Sequence, residues 1–418
     1  MKNIKRLACL VISIIMMMTI FVGCHEKDEI AFTIGESKFT SAMYSCFLYM
    51  SALNAQNDIS KFVEESGATT ENINYTLYKF DEEDKVSATG TVSYYDYVRN
   101  SAIKILRQYA LLDAKIKAEN LTVDANIIEN AKVQASYYWN VGCDANTYQY
   151  YASYGADPSS YYKPYNTTFE KNGVAYSTYE KYMVNEYTYN FYFEHLYGEG
   201  GKLEIPKNEI TSYMNEHLAI GDTLYVSWKD NDNKDLSDEK KAELKGKLEA
   251  YANRINAGEA FDIIYKEYQK ENSETNNQSS SNSSTTSSEA VSSTESTASG
   301  TSSDSTSSEE KEWTPETYTT VFGDSETDYD DKLFADVKKI EIGKAAVIAD
   351  SDNSRYVLIC RGDILKEDYW YKNINTSIRF ELKNDEFVKA LDAEAATLSL
   401  TEDKHATEPF NVKDIKFS

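Results

Sequence analysis

Apolar residues return every three or four positions through much of the first half of the chain. In "SAIKILRQYALLDAKIKAENL", Ile105, Tyr109, Leu112 and Ile116 fall at i, i+4, i+7 and i+11, which predicts an amphipathic helix. "LTVDANIIENAKVQASYYW" repeats the pattern with Ile127, Ala131, Ala135 and Tyr138. "YSTYEKYMVNEYTYNFYFEHLY" predicts a third helix that stops at the glycines of "GEGG", and "IPKNEITSYMNEHL" a fourth with Pro206 in its first turn. The segment "IAFTIGESKFTSAMYSCFLYM" opens differently, as a short strand, a turn at Gly35 and then a helix. Residues 30–219 are therefore expected to form a mostly helical module.

From Asp222 the period changes. "DTLYVSW" alternates as a strand does, and "LSDEKKAELKGKLEAYANRINAG" returns to helical spacing. Ser237 is placed to cap that helix and acids fill its first turn. Leu244, Leu248, Tyr251 and Ile255 lie on one face, and Gly258 marks the stop. "EAFDIIYKEYQ" predicts a second helix with Phe261, Ile264, Tyr265 and Tyr268 on one side. "KLFADVKKIEIG" leads into "KAAVIAD", a turn at "SDNS" and "RYVLICRGDIL", the pattern of an antiparallel hairpin. Beyond residue 366, "NDEFVKALDAEAATL" predicts a helix and "FNVKDIKF" a last strand.

Between these halves lies "NQSSSNSSTTSSEAVSSTESTASGTSSDSTSS", too poor in apolar residues to be buried and expected to be disordered. Neither flank is self-sufficient, because a single strand forms no sheet and an isolated hairpin is marginal in water. Without roughly residues 272–312, the flanks join into a domain of ordinary size in the order β-α-α-(α)-β-β. Lengthening a surface loop from about 6 to about 40 residues costs only about 1.7 kcal/mol. The tract is thus expected to be an insertion within one domain, not a linker between two.

Composition narrows the function. The chain has 418 residues and a net charge of −25, with no basic stripe to neutralise phosphates, which argues against nucleic-acid partners. The same acidity gives no pull toward anionic lipid. Membrane attachment is expected from the start of the chain instead. Lys2, Lys5 and Arg6 precede an apolar run from Leu7 to Val22, the layout of an export signal. The "FVGC" that follows resembles the lipobox of bacterial lipoproteins, with Phe21 in place of the usual Leu. That resemblance implies a signal peptide over 1–23, lipidation of Cys24, and a tether over 24–29 to the outer face of the bacterial cytoplasmic membrane. Two acyl chains are enough for stable anchoring. With Cys9 removed and Cys24 lipidated, Cys46, Cys143 and Cys360 remain. Their spacing fits neither a disulfide framework nor a zinc site, so buried free thiols or a single Cys46–Cys143 bridge are the readings.

Two further stretches carry a resemblance. "YANRINAGEAFDIIYKEY", followed by "LFADVKKIEIGKAAVIADSDNSRYVLICRGDIL", is similar to the helix pair and closing hairpin of parvulin-type peptidyl-prolyl isomerases. With the helical segment and the lipoprotein signal, the chain resembles PrsA-type foldase lipoproteins and SurA-type chaperones. The implied architecture is α+β: a SurA-N-like helical chaperone module over 30–219, a parvulin-like domain over 220–365 and a segment 366–418 completing the first module. The family's histidines would fall near Tyr225 and at Val357, and Phe334 is a candidate pocket aromatic. The chain's four histidines, His25, His195, His217 and His405, all lie outside 222–365, so isomerase chemistry is expected to be weak or lost.

Tyrosine is concentrated in the helical module, with 16 of 34 between Tyr137 and Tyr197. Tyrosine offers a rigid apolar face and a polar tip, suited to adaptable contact with peptides. Tyr138, Tyr148, Tyr151, Tyr187 and Tyr192 are the candidate contact residues, and unfolded exported polypeptides the expected partners. There is no G-x-S-x-G, phosphate-binding glycine loop or His-rich metal spacing, and no cofactor or metal is expected. The expected function is a membrane-anchored extracytoplasmic chaperone or foldase. An active prolyl isomerase, or a solute-binding or adhesion lipoprotein, are the alternatives.

Overall fold

The computed structural model describes residues 29–279, 318–324 and 332–417, apart from residues 82, 83, 88, 154, 231 and 232. The predicted signal segment, Cys24, the tether up to residue 28 and most of the serine tract lie outside the described residues. The chain opens with strands β1 (Ile30–Ile34) and β2 (Ser37–Thr40) and helix α1 (Ser41–Glu65). Two-residue strands β3 (Lys79–Phe80) and β4 (Val92–Ser93) precede α2 (Tyr94–Ala118), α3 (Ala125–Asn140), α4 (Ala145–Ser153), α5 (Asn166–Lys171) and α6 (Tyr176–Tyr197). Next come α7 (Lys207–His217), β5 (Leu218–Ser227), α8 (Asp238–Asn256) and α9 (Phe261–Ser279). After the tract follow β6 (Thr319–Gly323), α10 (Phe334–Val337), β7 (Ala345–Asp350) and β8 (Arg355–Arg361). Helix α11 (Tyr369–Ala395), β9 (Leu400–Glu402) and α12 (Lys404–Thr407) complete the order. The fold is α+β. Residues up to Leu203 and those from Lys383 onward form one compact unit, and Glu204–Leu382 form the other.

In the first unit a small antiparallel sheet of order β2-β1-β9 joins the start of the chain to residues beyond 400. Thr40 ends β2 and caps α1 by accepting from the Met43 amide. Ser93 does the same for α2 by accepting from the Asp96 amide, and its hydroxyl donates in turn to the Asp96 carboxylate. The buried stripe of α2 runs through Val98, Ala102, Leu106, Tyr109 and Leu112; it includes the predicted Tyr109 and Leu112, while Leu106 takes the place of Ile105. The helix begins eleven residues before Ile105, at Tyr94, and its first turns already pack through Tyr94, Val98 and Ala102. Arg107 donates to the carbonyls of Ala395, Ala396 and Leu398, satisfying the exposed end of α11. Arg99 donates to both Glu402 oxygens at 2.9 and 2.8 Å, pinning α2 to β9.

The second unit is built on a four-stranded antiparallel sheet of order β6-β5-β8-β7. Strand β5, before the serine tract, pairs with β6 and β8, which both lie after it. The flanks of the tract therefore belong to one sheet. Alternation along the strands gives that sheet two faces. On one, Leu224, Val226, Ala345 and Leu358 pack against Leu248, Tyr251 and Ile255 of α8 and Phe261 and Ile264 of α9, as their spacing predicted. On the other, Ala219, Phe322, Val357 and Ile359 pack with Leu333 and Val337 beside α10. Asn256, the last residue of α8, uses its amide to bond both the N–H and the C=O of Ala345, at 2.8 and 2.9 Å.

Several expectations need correction. The segment "FNVKDIKF" is not a strand. Asn411 caps a single 3-10 turn at Val412–Asp414, and no neighbouring strand offers a ladder. Strands β2, β3, β4, β6 and β9 depart from the pattern expected of the sequence; each is short and is defined by its partner. The first tract residues, from 272, continue α9 as far as Ser279. The C-terminal helix begins well before "NDEFVKAL", at Tyr369. Of the two cysteine readings, free thiols hold and the Cys46–Cys143 bridge does not: Cys46 and Cys143 are buried, Cys360 half-buried, and all three are unbridged.

Candidate peptide-binding surfaces

Helix α6 carries tyrosines on every side, and the first unit sorts them by depth. Phe169, Tyr179, Trp139 and Tyr49 are buried together with Cys46 and Ala135. Their rings meet edge-on or tilted at 4.8 to 6.0 Å, the arrangement aromatic quadrupoles favour. One carboxylate enters this aromatic interior. Glu186 accepts the Tyr109 hydroxyl, and burial pushes its pKa up while that single bond pulls it down. Burial, reinforced by Glu186, also pushes the Cys46 thiol up. Burial, with Asp222 adding to it, raises Cys360 to about 11. These two cysteines stay protonated near neutral pH and are poor nucleophiles.

A second set of rings faces outward. Tyr150 and Tyr161 are 61% and 67% exposed, far more than packing needs. Tyr151 stacks on Tyr161 at 5.1 Å and meets Tyr150 and Tyr162 edge-on at 5.6 and 5.9 Å. Tyr148 leans on Tyr137 at 5.2 Å. The result is a group of tyrosine rings over α4 and the Pro158–Tyr162 turn, with Tyr150 and Tyr161 at its exposed rim.

Of the five predicted contact tyrosines, Tyr148 and Tyr151 belong to this outer surface. Tyr138 stacks on Tyr165 at 5.5 Å, and both it and Tyr187 line the inner aromatic cluster. Tyr192 is elsewhere and buried. It is 2% exposed, its hydroxyl donates to Glu119 at 2.7 Å, and its ring packs beside Phe387, so it is closed to any ligand. The two most exposed tyrosine rings among the described residues, Tyr150 and Tyr161, are not among those five. Their signal was the doublets "YY" at 150–151 and 161–162. Adjacent helix positions point about 100° apart, so a doublet in α4 can pack one ring and leave the other to water.

In the second unit the three positions that the sequence resemblance assigns to a pocket share one sheet face. Tyr225 lies directly opposite Val357 in the β5–β8 ladder, and Phe334 packs into the cluster that contains Val357. Val357 is fully buried, whereas Tyr225 is 39% exposed and lies under the Arg355 guanidinium, 4.2 Å from its ring centroid. Arg355 in turn bonds Asp350 at 2.7 Å. Burial raises the Asp350 pKa, but bonds from Asn353 and Arg355 outweigh it and hold the carboxyl below its usual range. The one histidine of this unit, His217, precedes the start of β5 and bonds Asp324 at 2.7 Å. It is eight positions along the chain from Tyr225 and cannot serve that position.

No protein-family model matches this chain, and no curated protein matches it. Its surfaces must therefore be read from their own chemistry. Among the described residues no helix is long and apolar enough to cross a membrane, and no group of three or more His, Cys, Asp and Glu is placed to hold a metal ion. The first unit also has a cleft of about 740 Å³ lined by Tyr44, Tyr95, Arg99, Glu402, Lys404 and residues Phe410–Lys413. Its walls mix cations, carboxylates and aromatic rings, a lining able to meet both the polar backbone and the apolar side chains of a peptide.

Proposed function

We propose that this protein is a lipid-tethered extracytoplasmic chaperone that holds unfolded exported polypeptides on the tyrosine surface of its first unit. The observation that carries the reading is the exposure of Tyr150 and Tyr161 within a stacked group of rings. Rigid aromatic faces bury large apolar area at low entropic cost and tolerate many sequences, which is what a binder of varied clients requires. The second unit is a parvulin-like domain in this reading, supported by the pairing of β5 with the β7–β8 hairpin across the serine tract. Its pocket positions carry Tyr225, Phe334 and Val357, where the resembled family has histidines at two of the three. It serves as a scaffold or weak peptide binder. Anchoring through lipid on Cys24 would place the molecule where exported chains emerge.

Light scattering by an unfolded client, with and without the full chain, tests the reading. Suppression of aggregation at near-stoichiometric ratio is expected, with loss in the Tyr150→Ser/Tyr161→Ser variant. A proline-limited refolding assay run alongside should stay near the uncatalysed rate; enzyme-like acceleration would make the protein an isomerase instead. The cleft beside Arg99 supports a second reading, a solute-binding lipoprotein. Saturable binding of one small ligand without suppression of aggregation would favour it.

A further inference from the structure

The inner aromatic cluster of the first unit is already occupied on one side by an extended piece of the chain itself. Lys416 is bound through its backbone alone: its amide donates to Asn172 Oδ1 at 2.9 Å, and its carbonyl accepts from Asn172 Nδ2 at 2.9 Å. The residues on either side point their side chains at the rings. Ile415 packs against the cluster of Cys46, Tyr49, Phe169 and Tyr179, and Phe417 stacks on Tyr49 at 5.8 Å with 30° between the planes. This is how a groove recognises an extended peptide without reading its sequence. One side-chain amide imitates a neighbouring strand at residue i, and apolar pockets take i−1 and i+1. The amide is itself held in place, since Asn172 Nδ2 also donates to the Thr168 carbonyl and the Asn172 carbonyl accepts from Ser45 Oγ at 2.7 Å.

The tip of the occupant is held lightly. Phe417 keeps 41% of its surface exposed, and apart from the local bond of the Ile415 amide to the Val412 carbonyl, the two backbone bonds to Asn172 are the polar attachment of Ile415–Phe417 among the described residues. Farther back, buried Val412 and the Lys413 ammonium, 5.2 Å from the Tyr95 ring centroid, anchor the segment. The same segment, one turn earlier, supplies Phe410, Asn411, Val412 and Lys413 to the wall of the 740 Å³ cleft. Displacing a single segment would therefore open the aromatic groove and widen the cleft together.

We propose that residues 411–417 are an intramolecular stand-in for client, and that the Asn172 groove binds extended polypeptide with apolar residues two positions apart. Clients compete with the stand-in for Asn172, Tyr49 and Phe169. This rests on the chaperone reading for the identity of the ligand as polypeptide, and it adds a defined site and a built-in competitor to it.

The test is a swap. A fluorescent peptide of sequence NVKDIKFS, residues 411–418, is titrated into the full chain and into its Ile415→Ser/Phe417→Ser variant. Freeing a groove that is filled about nine-tenths of the time raises apparent affinity about tenfold. That gain is the expected result, and adding Asn172→Ala should abolish it. Equal binding to the native chain and the variant, or binding indifferent to Asn172, overturns the proposal. Should the variant fail to fold, the native chain decides. Addition of a permanently unfolded polypeptide should accelerate hydrogen exchange at the Lys416 amide, and unchanged protection with bound client overturns the proposal. Peptide exchange that persists without suppression of aggregation would sink the chaperone reading and leave the groove intact. The reverse pattern would sink the groove alone.

Discussion

Ile264 offers a direct test of whether the serine tract interrupts one domain. It precedes the tract, is fully buried, and packs in one cluster with Ala345 and Leu358, which follow it. Ile264→Ala shortens the side chain by three carbons, about 2.4 kcal/mol of transfer free energy at about 0.8 kcal/mol per methylene. The cavity left behind adds about 1 kcal/mol more, giving a loss of about 3 to 4 kcal/mol. Hydrogen exchange followed by mass spectrometry reads where that loss is felt. If helices and hairpin fold as one unit, peptides over Val357–Ile359 should lose protection by a factor of about 100 or more, although the substitution lies more than ninety positions away in sequence. Asn256→Ala removes the two bonds to Ala345 at the sheet edge, where water can replace them, and should cost a smaller amount, about 1 to 2 kcal/mol, in the same peptides. Loss of protection confined to α8 and α9, with the β7–β8 hairpin unchanged, would refute the single-domain account.

Three further outcomes follow from particular side chains. Glu186 has a raised pKa in the folded protein, so its contribution to stability is fully present below the unfolded carboxyl pKa and is lost as pH rises through the folded one. Glu186→Gln, still able to accept from Tyr109, should stabilise the first unit by about 1 kcal/mol at pH 8 and by nothing measurable at pH 4 in chemical melts. Asp350 has the opposite sign: its pKa is held down by Asn353 and Arg355, so its stabilisation is present above the unfolded carboxyl pKa and fades as pH falls through the folded value. Asp350→Asn should cost about 2 kcal/mol at pH 7, less than a fully buried pair because Arg355 is partly exposed, and the difference should shrink below about pH 4. Tyr150→Ser/Tyr161→Ser should shift stability by less than about 0.5 kcal/mol, since both rings are exposed; a large drop in melting temperature would mean they are structural.

The sequence by itself determined the elements whose apolar periodicity is long and uninterrupted. Leu248, Tyr251, Ile255, Phe261 and Ile264 announced the two helices and their buried faces, and Ser237 announced the cap, because helical geometry places residues three and four apart on one side whatever surrounds them. The insertion was legible for a related reason: flanks that cannot fold alone must complete each other. Tertiary structure decided what depends on a partner distant in sequence. Strand β6 is five residues that become a strand by lying beside β5, and β9 becomes one by lying beside β1. "FNVKDIKF" has the alternation of a strand but finds an amide instead of a ladder, so it forms a 3-10 turn at Val412–Asp414 and a short strap on Asn172 at Ile415–Phe417. The tyrosines divide by the same rule. Tyr192 and Tyr151 are alike as residues, and only the packing of α6 against Glu119 and Phe387 buries one while α4 leaves the other at the surface. Local patterns follow from covalent spacing, which the sequence carries in full. Depth and pairing follow from where distant segments meet, and that is settled only when the whole chain has folded.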